Sequence, residues 1–166
     1  MTTPQRITPC LWFDHQAEEA VAFYTSIFKG SRVVTTTRYG EAGREVHGMA
    51  PGTVMTVAFE LDGQAFTALN GGPIFKFNEA ISLQITCETQ KEVDYYWEKL
   101  GQGGDEQAQQ CGWLKDRYGL SWQVVPSILP GLLSDPDAGK SRRAMEAMLR
   151  MKKLDIAELQ RAHAGK

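Results

Sequence analysis

The reactive inventory of this chain is thin, and most of it is neutral. Two glutamines, Gln84 and Gln123, sit inside strand-like runs, and an amide there can both donate and accept hydrogen bonds. Each has two readings, a ligand contact or a satisfied amide within a packed interior. Trp12 either stacks on a ligand ring or fills space. Three cysteines, Cys10, Cys87 and Cys111, are an odd number without Cys-x-x-Cys spacing. They read as reduced thiols, at least two of them buried small hydrophobes, and nothing near Cys111 signals an activated thiolate. His15 falls at a strand end and His47 in a glycine-rich loop, both solvated positions. Asn70 reads as a turn residue bonding its own backbone, and Asp116-Arg117 as a surface pair at a hairpin tip. No Ser-His-Asp or phosphate-loop pattern is present.

The elements that must place these side chains are organised around residues 64–82. A strand-like run from Gln64 to Leu69 ends in Asn70-Gly71-Gly72-Pro73, a strong stop, and a second run opens at Ala80. Before this hinge come a strand over Ile7–Phe13, a helix over Ala17–Phe28, a strand over Ser31–Tyr39, a long mobile loop over Gly40–Gly52, and a hairpin from Thr53 to Leu69 turning at Asp62-Gly63. After it come a strand over Ala80–Cys87, a helix over Thr89–Leu100, a polar stretch over Gly101–Gln110 containing an irregular short strand, and a second hairpin across Asp116–Gly119. Leu11 aligns with Leu83, Val21 with Val93, Gly63 with Gly119 and Phe66 with Trp122. The order predicts tandem β-α-β-β-β modules, 1–73 and 74–126, followed by a proline-containing link and C-terminal helices over 127–166.

Strand alternation divides the side chains again. Leu11, Phe13, Leu83, Ile85, Trp122 and Val124 lie on apolar faces suited to burial under a helix. Ile7 and Ile81 share those faces. The opposite faces carry Thr8, Cys10, Trp12, Ser82, Gln84 and Gln123, small or mildly polar. Such a face either meets water or, where the modules curl the sheet, lines a concave cup of the kind that holds ligands. In the second case Thr8, Trp12, Thr67, Gln84 and Gln123 are the expected ligand contacts. The fold class expected is α+β, a curved, cup-like mixed sheet with added C-terminal helices.

Several motifs resemble a known family. Phe66-Thr-Ala-Leu-Asn-Gly-Gly-Pro73, Asn78-Glu-Ala-Ile-Ser82, Cys111-Gly-Trp-Leu-Lys-Asp116, Tyr118-Gly-Leu-Ser-Trp-Gln-Val-Val-Pro126 and the tail Ala144–Lys153 are similar to the PhnB-like branch of the vicinal oxygen chelate (glyoxalase, bleomycin resistance and dioxygenase) superfamily. That branch is often labelled 3-demethylubiquinone-9 3-methyltransferase, yet no glycine-rich S-adenosylmethionine loop follows a first strand here. The resemblance implies a divalent metal held by His and Glu at equivalent places of four strands, with an open position for the substrate's oxygens. Carried over by register, those places are Thr8, Thr67, Ala80 and Gln123, so no metal and no cofactor is expected. Substitute ligands would have to come from His15, His47, Glu60 or Glu88.

A net charge of −2 over 166 residues gives no basic field for nucleic acid. No apolar run approaches the length of a membrane span, and the start lacks a signal-peptide core, so a cytoplasmic protein is expected. Ala144, Met145, Met148 and Leu149 form a helical stripe that packs on its own chain or on a second subunit, and a homodimer is expected. Asp155-Ile-Ala-Glu158 resembles a capping box. Three functions fit: binding, with or without transformation, of a small molecule in a cup without the usual metal; non-catalytic sequestration; and a lyase or dioxygenase with non-standard metal ligands. The sequence does not decide whether the chain is an enzyme.

Overall fold

A computed structural model describes residues 5–166. The fold is α+β, with a four-stranded and a three-stranded mixed sheet, each in its own unit: one runs to Phe77 and the other from Asn78 to Lys166. In the first unit the order is β1 (Cys10–Phe13), α1 (Ala17–Ile27), β2 (Arg32–Arg38), α2 (Arg44–His47), β3 (Val54–Leu61) and β4 (Gln64–Asn70). Its sheet runs β1-β4-β3-β2, with β1 parallel to β4 and the other pairs antiparallel.

Alternation decides what is buried here. Leu11, Phe13, Val57, Phe59, Leu61, Phe66 and Ala68 form the core with Ala17, Ala20, Val21, Tyr24 and Ile27 of α1. Burial of this apolar surface is the main favourable term. The hairpin between β3 and β4 turns at Asp62 (φ 47°) and Gly63 (φ 79°), the two left-handed residues that a tight two-residue turn requires.

The first strand begins later than Ile7. Pro9 has no N–H for the ladder, although its carbonyl still accepts from Thr67 N at 2.9 Å, and Ile7 is 86% exposed rather than buried. The 40–52 stretch, expected as a mobile loop, holds one helical turn, α2, bracketed by left-handed Gly43 and Gly48. His47 rests on the Tyr39 ring at 4.5 Å between centroids, and its Nδ1 accepts from Met49 N at 3.0 Å. Asn70 also reaches beyond its own turn. Its Oδ1 accepts from Ala17 N at 2.8 Å and its Nδ2 donates to Val54 O at 3.1 Å, so it caps α1, whose own N-cap Gln16 supplies no side-chain bond.

The second unit comprises β5 (Leu83–Cys87), α3 (Gln90–Gly101), β6 (Trp113–Lys115), β7 (Ser121–Pro126), α4 (Leu129–Leu133), α5 (Ala138–Leu149) and α6 (Ile156–Ala164). Its sheet runs β5-β7-β6, with β5 parallel and β6 antiparallel to β7. β5 starts at Leu83 because Asn78 Oδ1 accepts from Ala80 N at 2.9 Å, folding a turn that leaves Ile81 61% exposed. The irregular strand expected within 101–110 reduces to one bridge, Gln110 with Trp113, after a 3₁₀ turn over Glu106–Ala108. α3 opens with a capping box between Thr89 and Glu92, and covers Leu114, Trp122 and Val124 with Val93 and Leu100.

The C-terminal helices have a core of their own, Leu129, Ala147, Leu154 and Leu159, joined by Met148 and Met151. The helix expected over 140–153 runs from Ala138 to Leu149, leaving Met145 and Leu149 exposed. Asp155 Oδ1 accepts from Glu158 N at 2.8 Å and caps α6. Among the described residues no helix is long and apolar enough to cross a membrane.

Candidate functional site

Each sheet turns one face to a helix and leaves the other open, and the neutral polar residues lie on the open faces. On the first sheet the ladder sets Cys10 beside Thr67 and Thr67 beside Ala58, then Trp12 beside Leu69 and Leu69 beside Thr56. Thr37 and Thr56 join through their hydroxyls, and Arg32 grips Glu60 with two bonds of 2.8 and 3.0 Å. Those bonds hold the Glu60 carboxyl below its ordinary pKa. Glu60 is thereby committed to Arg32.

Thr8 is exposed in the extended chain before β1, and Thr67 is half-buried. Trp12 is more constrained than either. Its indole N–H donates to Gly72 O at 2.8 Å, Phe75 meets its ring edge-on at 4.9 Å, and the ring lies against Gly71. A Cβ added at Gly71 would stand 2.3 Å from the indole, so only glycine permits this packing. Trp12 belongs to the Asn70–Pro73 turn as much as to the open face.

On the second sheet three polar side chains form one chain. Gln84 Nε2 donates to Gln123 Oε1 at 3.2 Å, and Gln123 Nε2 donates to Ser82 Oγ at 2.8 Å. Gln84 is exposed and Gln123 half-buried. On the same face β6 brings Trp113 beside Gln123 and Lys115 beside Ser121. Lys115 is ion-paired with Glu79, whose carboxyl is held below its ordinary pKa chiefly by that bond. The sequence placed Ser82 on this face without making it a ligand contact, and Trp113 and Lys115 went unnoticed, although the alternation that selected Gln123 selects their face too.

The ladders also correct the internal alignment. Cys10 pairs with Thr67 as Gln84 pairs with Gln123, so the counterpart of Thr8 is Ser82, not Ala80, and Leu11 corresponds to Ile85 rather than Leu83. Asp116, expected on the surface, is 2% exposed and accepts from Trp122 Nε1 and from two backbone N–H groups.

The remaining candidates lie apart from this chemistry. His15 is exposed beside Asp14. Burial, with Glu92 and Glu88 adding to it, pushes the Cys87 thiol up to about 11. Partial desolvation also raises the thiol of Cys10, although the residue is exposed. Neither thiol is poised as a nucleophile at neutral pH. Among the described residues no three His, Cys, Asp or Glu side chains gather to hold a metal ion. A groove of about 340 Å³ opens on the helical side, lined by Trp97, Glu98, Lys99 and Gln109 among others.

The 3-demethylubiquinone-9 3-methyltransferase family model matches residues 5–125, stopping short of α4–α6. A solved structure described as a putative 3-demethylubiquinone-9 3-methyltransferase, PhnB protein, from Bacillus cereus is 39% identical, with 74% of this chain and 100% of that chain covered and a TM-score of 0.62. Protein PA1353 from Pseudomonas aeruginosa is 19% identical over 74% of this chain and 98% of its own, with a TM-score of 0.59. The fosfomycin resistance protein FosX from Listeria monocytogenes is 14% identical over 78% of this chain and 97% of its own, with a TM-score of 0.50. The last two share the fold. No protein of curated function matches the chain. With most of its length under the family model and a PhnB protein of this identity among its relatives, the chain belongs to the 3-demethylubiquinone-9 3-methyltransferase family.

Proposed function

We propose that this protein binds a small molecule through the open faces of its sheets, with Thr8, Trp12 and Thr67 contributing from the first and Gln84 and Gln123 from the second. The observation that carries the reading is the chain Gln84–Gln123–Ser82. Its amides hold each other in fixed orientation and keep further donor and acceptor capacity for a ligand. The positions that would carry His and Glu in a metal-dependent relative carry threonine, serine or glutamine, which offer hydrogen bonds rather than strong metal ligation. We take binding to work without a stoichiometric transition metal, and the protein to be a cytoplasmic homodimer.

Isothermal titration against neutral and acidic small compounds tests the reading, repeated on Gln123→Leu. That substitution exchanges a half-buried amide for an apolar group of similar size, so binding should weaken while the fold stays intact. Undiminished binding by a folded Gln123→Leu protein would remove Gln123 from the site. Incubation of each bound compound with catalytic amounts of protein separates turnover from sequestration. Elemental analysis of protein never exposed to chelator is expected to find well under one metal per chain, and a ratio near one overturns the metal-free reading. Light scattering should return twice the chain mass of 18.5 kDa.

A further inference from the structure

The open face of the second sheet carries a single charge among its strand residues. Gln84, Thr86, Trp113, Ser121, Gln123 and Val125 are neutral, and Lys115 is the exception. It is neutralised by Glu79 from the exposed Asn78–Ala80 turn rather than from the sheet. The pair is lopsided, with the lysine side chain 26% exposed and the glutamate 63%. An exposed carboxylate on a turn contributes little to stability and can leave without disturbing the ladder. Beside Lys115, Ser121 is 1% exposed and its Oγ has no hydrogen-bond partner, a buried polar group that favours acquiring one. Two residues back along β6, Trp113 stands next to Gln123.

We infer that Lys115 is the anion-recognising residue of this face, that Glu79 occupies the place of a ligand carboxylate, and that Trp113 receives the flat ring of an aromatic acid. The inference rests on the small-molecule reading and narrows its ligand class. A carboxylate replaces Glu79 on Lys115, and its ring covers the indole, adding apolar burial that the Glu79 side chain does not provide. Gln123 and Gln84 border the ring's edge as neutral hydrogen-bonding groups.

Opposite responses of the two ion-pair partners test this. Benzoate is titrated into ¹⁵N-labelled protein while the Trp113 indole signal is followed, with benzamide as the uncharged ring and inorganic phosphate as the ringless anion. Benzoate is expected to shift the Trp113 signal and to bind more tightly than either control. Lys115→Met should weaken benzoate about tenfold, the scale of one hydrogen bond to a charged group. Glu79→Gln should tighten it severalfold by removing the competitor, and neither change should affect benzamide. Circular dichroism confirms that both variants are folded.

Equal binding of benzamide, equal binding of phosphate, a silent Trp113 signal, or the same direction of effect in both variants overturns the inference. If neutral compounds bind and depend on Gln123 while Lys115→Met changes nothing, the inference fails and the small-molecule reading stands. If benzoate follows Lys115 and Glu79 but ignores Gln123→Leu, the inference stands and the Gln123-centred reading fails.

Discussion

The indole N–H of Trp122 donates to Asp116 Oδ2 at 2.8 Å, and both side chains are buried. The other carboxylate oxygen accepts from Tyr118 N at 2.8 Å and Leu120 N at 3.1 Å. One carboxylate therefore ties the β6–β7 turn to the largest side chain of that sheet's core, and so fixes which face of β7 meets α3. A slip of one residue would exchange Trp122 with Gln123.

Asp116→Ala removes the acceptor of three hydrogen bonds, one of them from the buried Trp122 indole. It should cost about 2–4 kcal/mol, since an unsatisfied buried group costs about 1–3 kcal/mol and the turn relaxes in part. Trp122→Ala should cost about 3–5 kcal/mol through the cavity it opens. Urea unfolding measures both. If Asp116→Ala costs under about 0.5 kcal/mol, the carboxylate does not hold the turn to Trp122.

Asn70 gives a second test, with a local readout. Asn70→Ala removes the acceptor for Ala17 N and the donor to Val54 O. We expect a loss of about 2 kcal/mol, in the range of a lost helix cap. Amide exchange should rise first in the opening turn of α1. Uniform acceleration across the first unit would mean that Asn70 serves the core at large rather than the cap.

What was legible follows from the physics that wrote it. Period-two alternation put Leu11, Phe66 and Trp122 beneath helices, and Asp62-Gly63 announced its turn through the left-handed backbone it needs. Strand ends were misread wherever a local competitor acted: Pro9 withholds an N–H, and the Asn78 side chain ties down Ala80. Asp116 was placed on the surface because its partner Trp122 lies six residues on, and sequence does not display a carboxylate's acceptors. α4 was not foreseen within the proline-containing link, although proline is well accommodated in a first turn, as Pro130 is here. Of the candidate site, the faces were readable and the pairing was not. Gln84 opposite Gln123 emerged only from the ladder, and the bond from Gln123 to Ser82 only from the side chains.

Cys87 predicts a pH dependence. Its folded pKa, about 11, lies above the ordinary 9.0, so the native state keeps a proton that the unfolded chain gives up. The resulting stability is fully present below pH 9 and is lost as pH rises from about 9 to 11. Chemical denaturation across that window, taken as the difference from Cys87→Ala so that other alkaline groups cancel, should show wild-type stability falling faster. Maleimide labelling at neutral pH should reach exposed Cys10 well before buried Cys87. Parallel pH profiles for the two proteins would mean that the thiol ionises as freely folded as unfolded.

The attachment of the C-terminal helices can be tested at one side chain. Gln90 on α3 donates from Nε2 to Leu154 O at 3.1 Å and accepts at Oε1 from Ile156 N at 2.8 Å, clasping the backbone on both sides of Asp155. A separate ladder holds the same segment, with Cys111 N and Gly112 N donating to Met151 O and Lys152 O at 2.8 Å each. Lys153 adds an ion pair to Asp94 at 2.7 Å, which lowers the Asp94 pKa but leaves both side chains nearly half exposed. Gln90→Leu orphans an inward N–H and a carbonyl, and should cost about 1–2 kcal/mol, concentrated in α6. Lys153→Met removes only a solvent-screened pair and should cost less than about 1 kcal/mol. Hydrogen exchange over Ile156–Ala164 separates the cases: α6 amides should exchange faster in Gln90→Leu and scarcely change in Lys153→Met. If Gln90→Leu leaves α6 as protected as before, the tail is held by the Cys111–Gly112 ladder and the apolar contacts of Leu154 and Leu159, and the glutamine clasp is incidental.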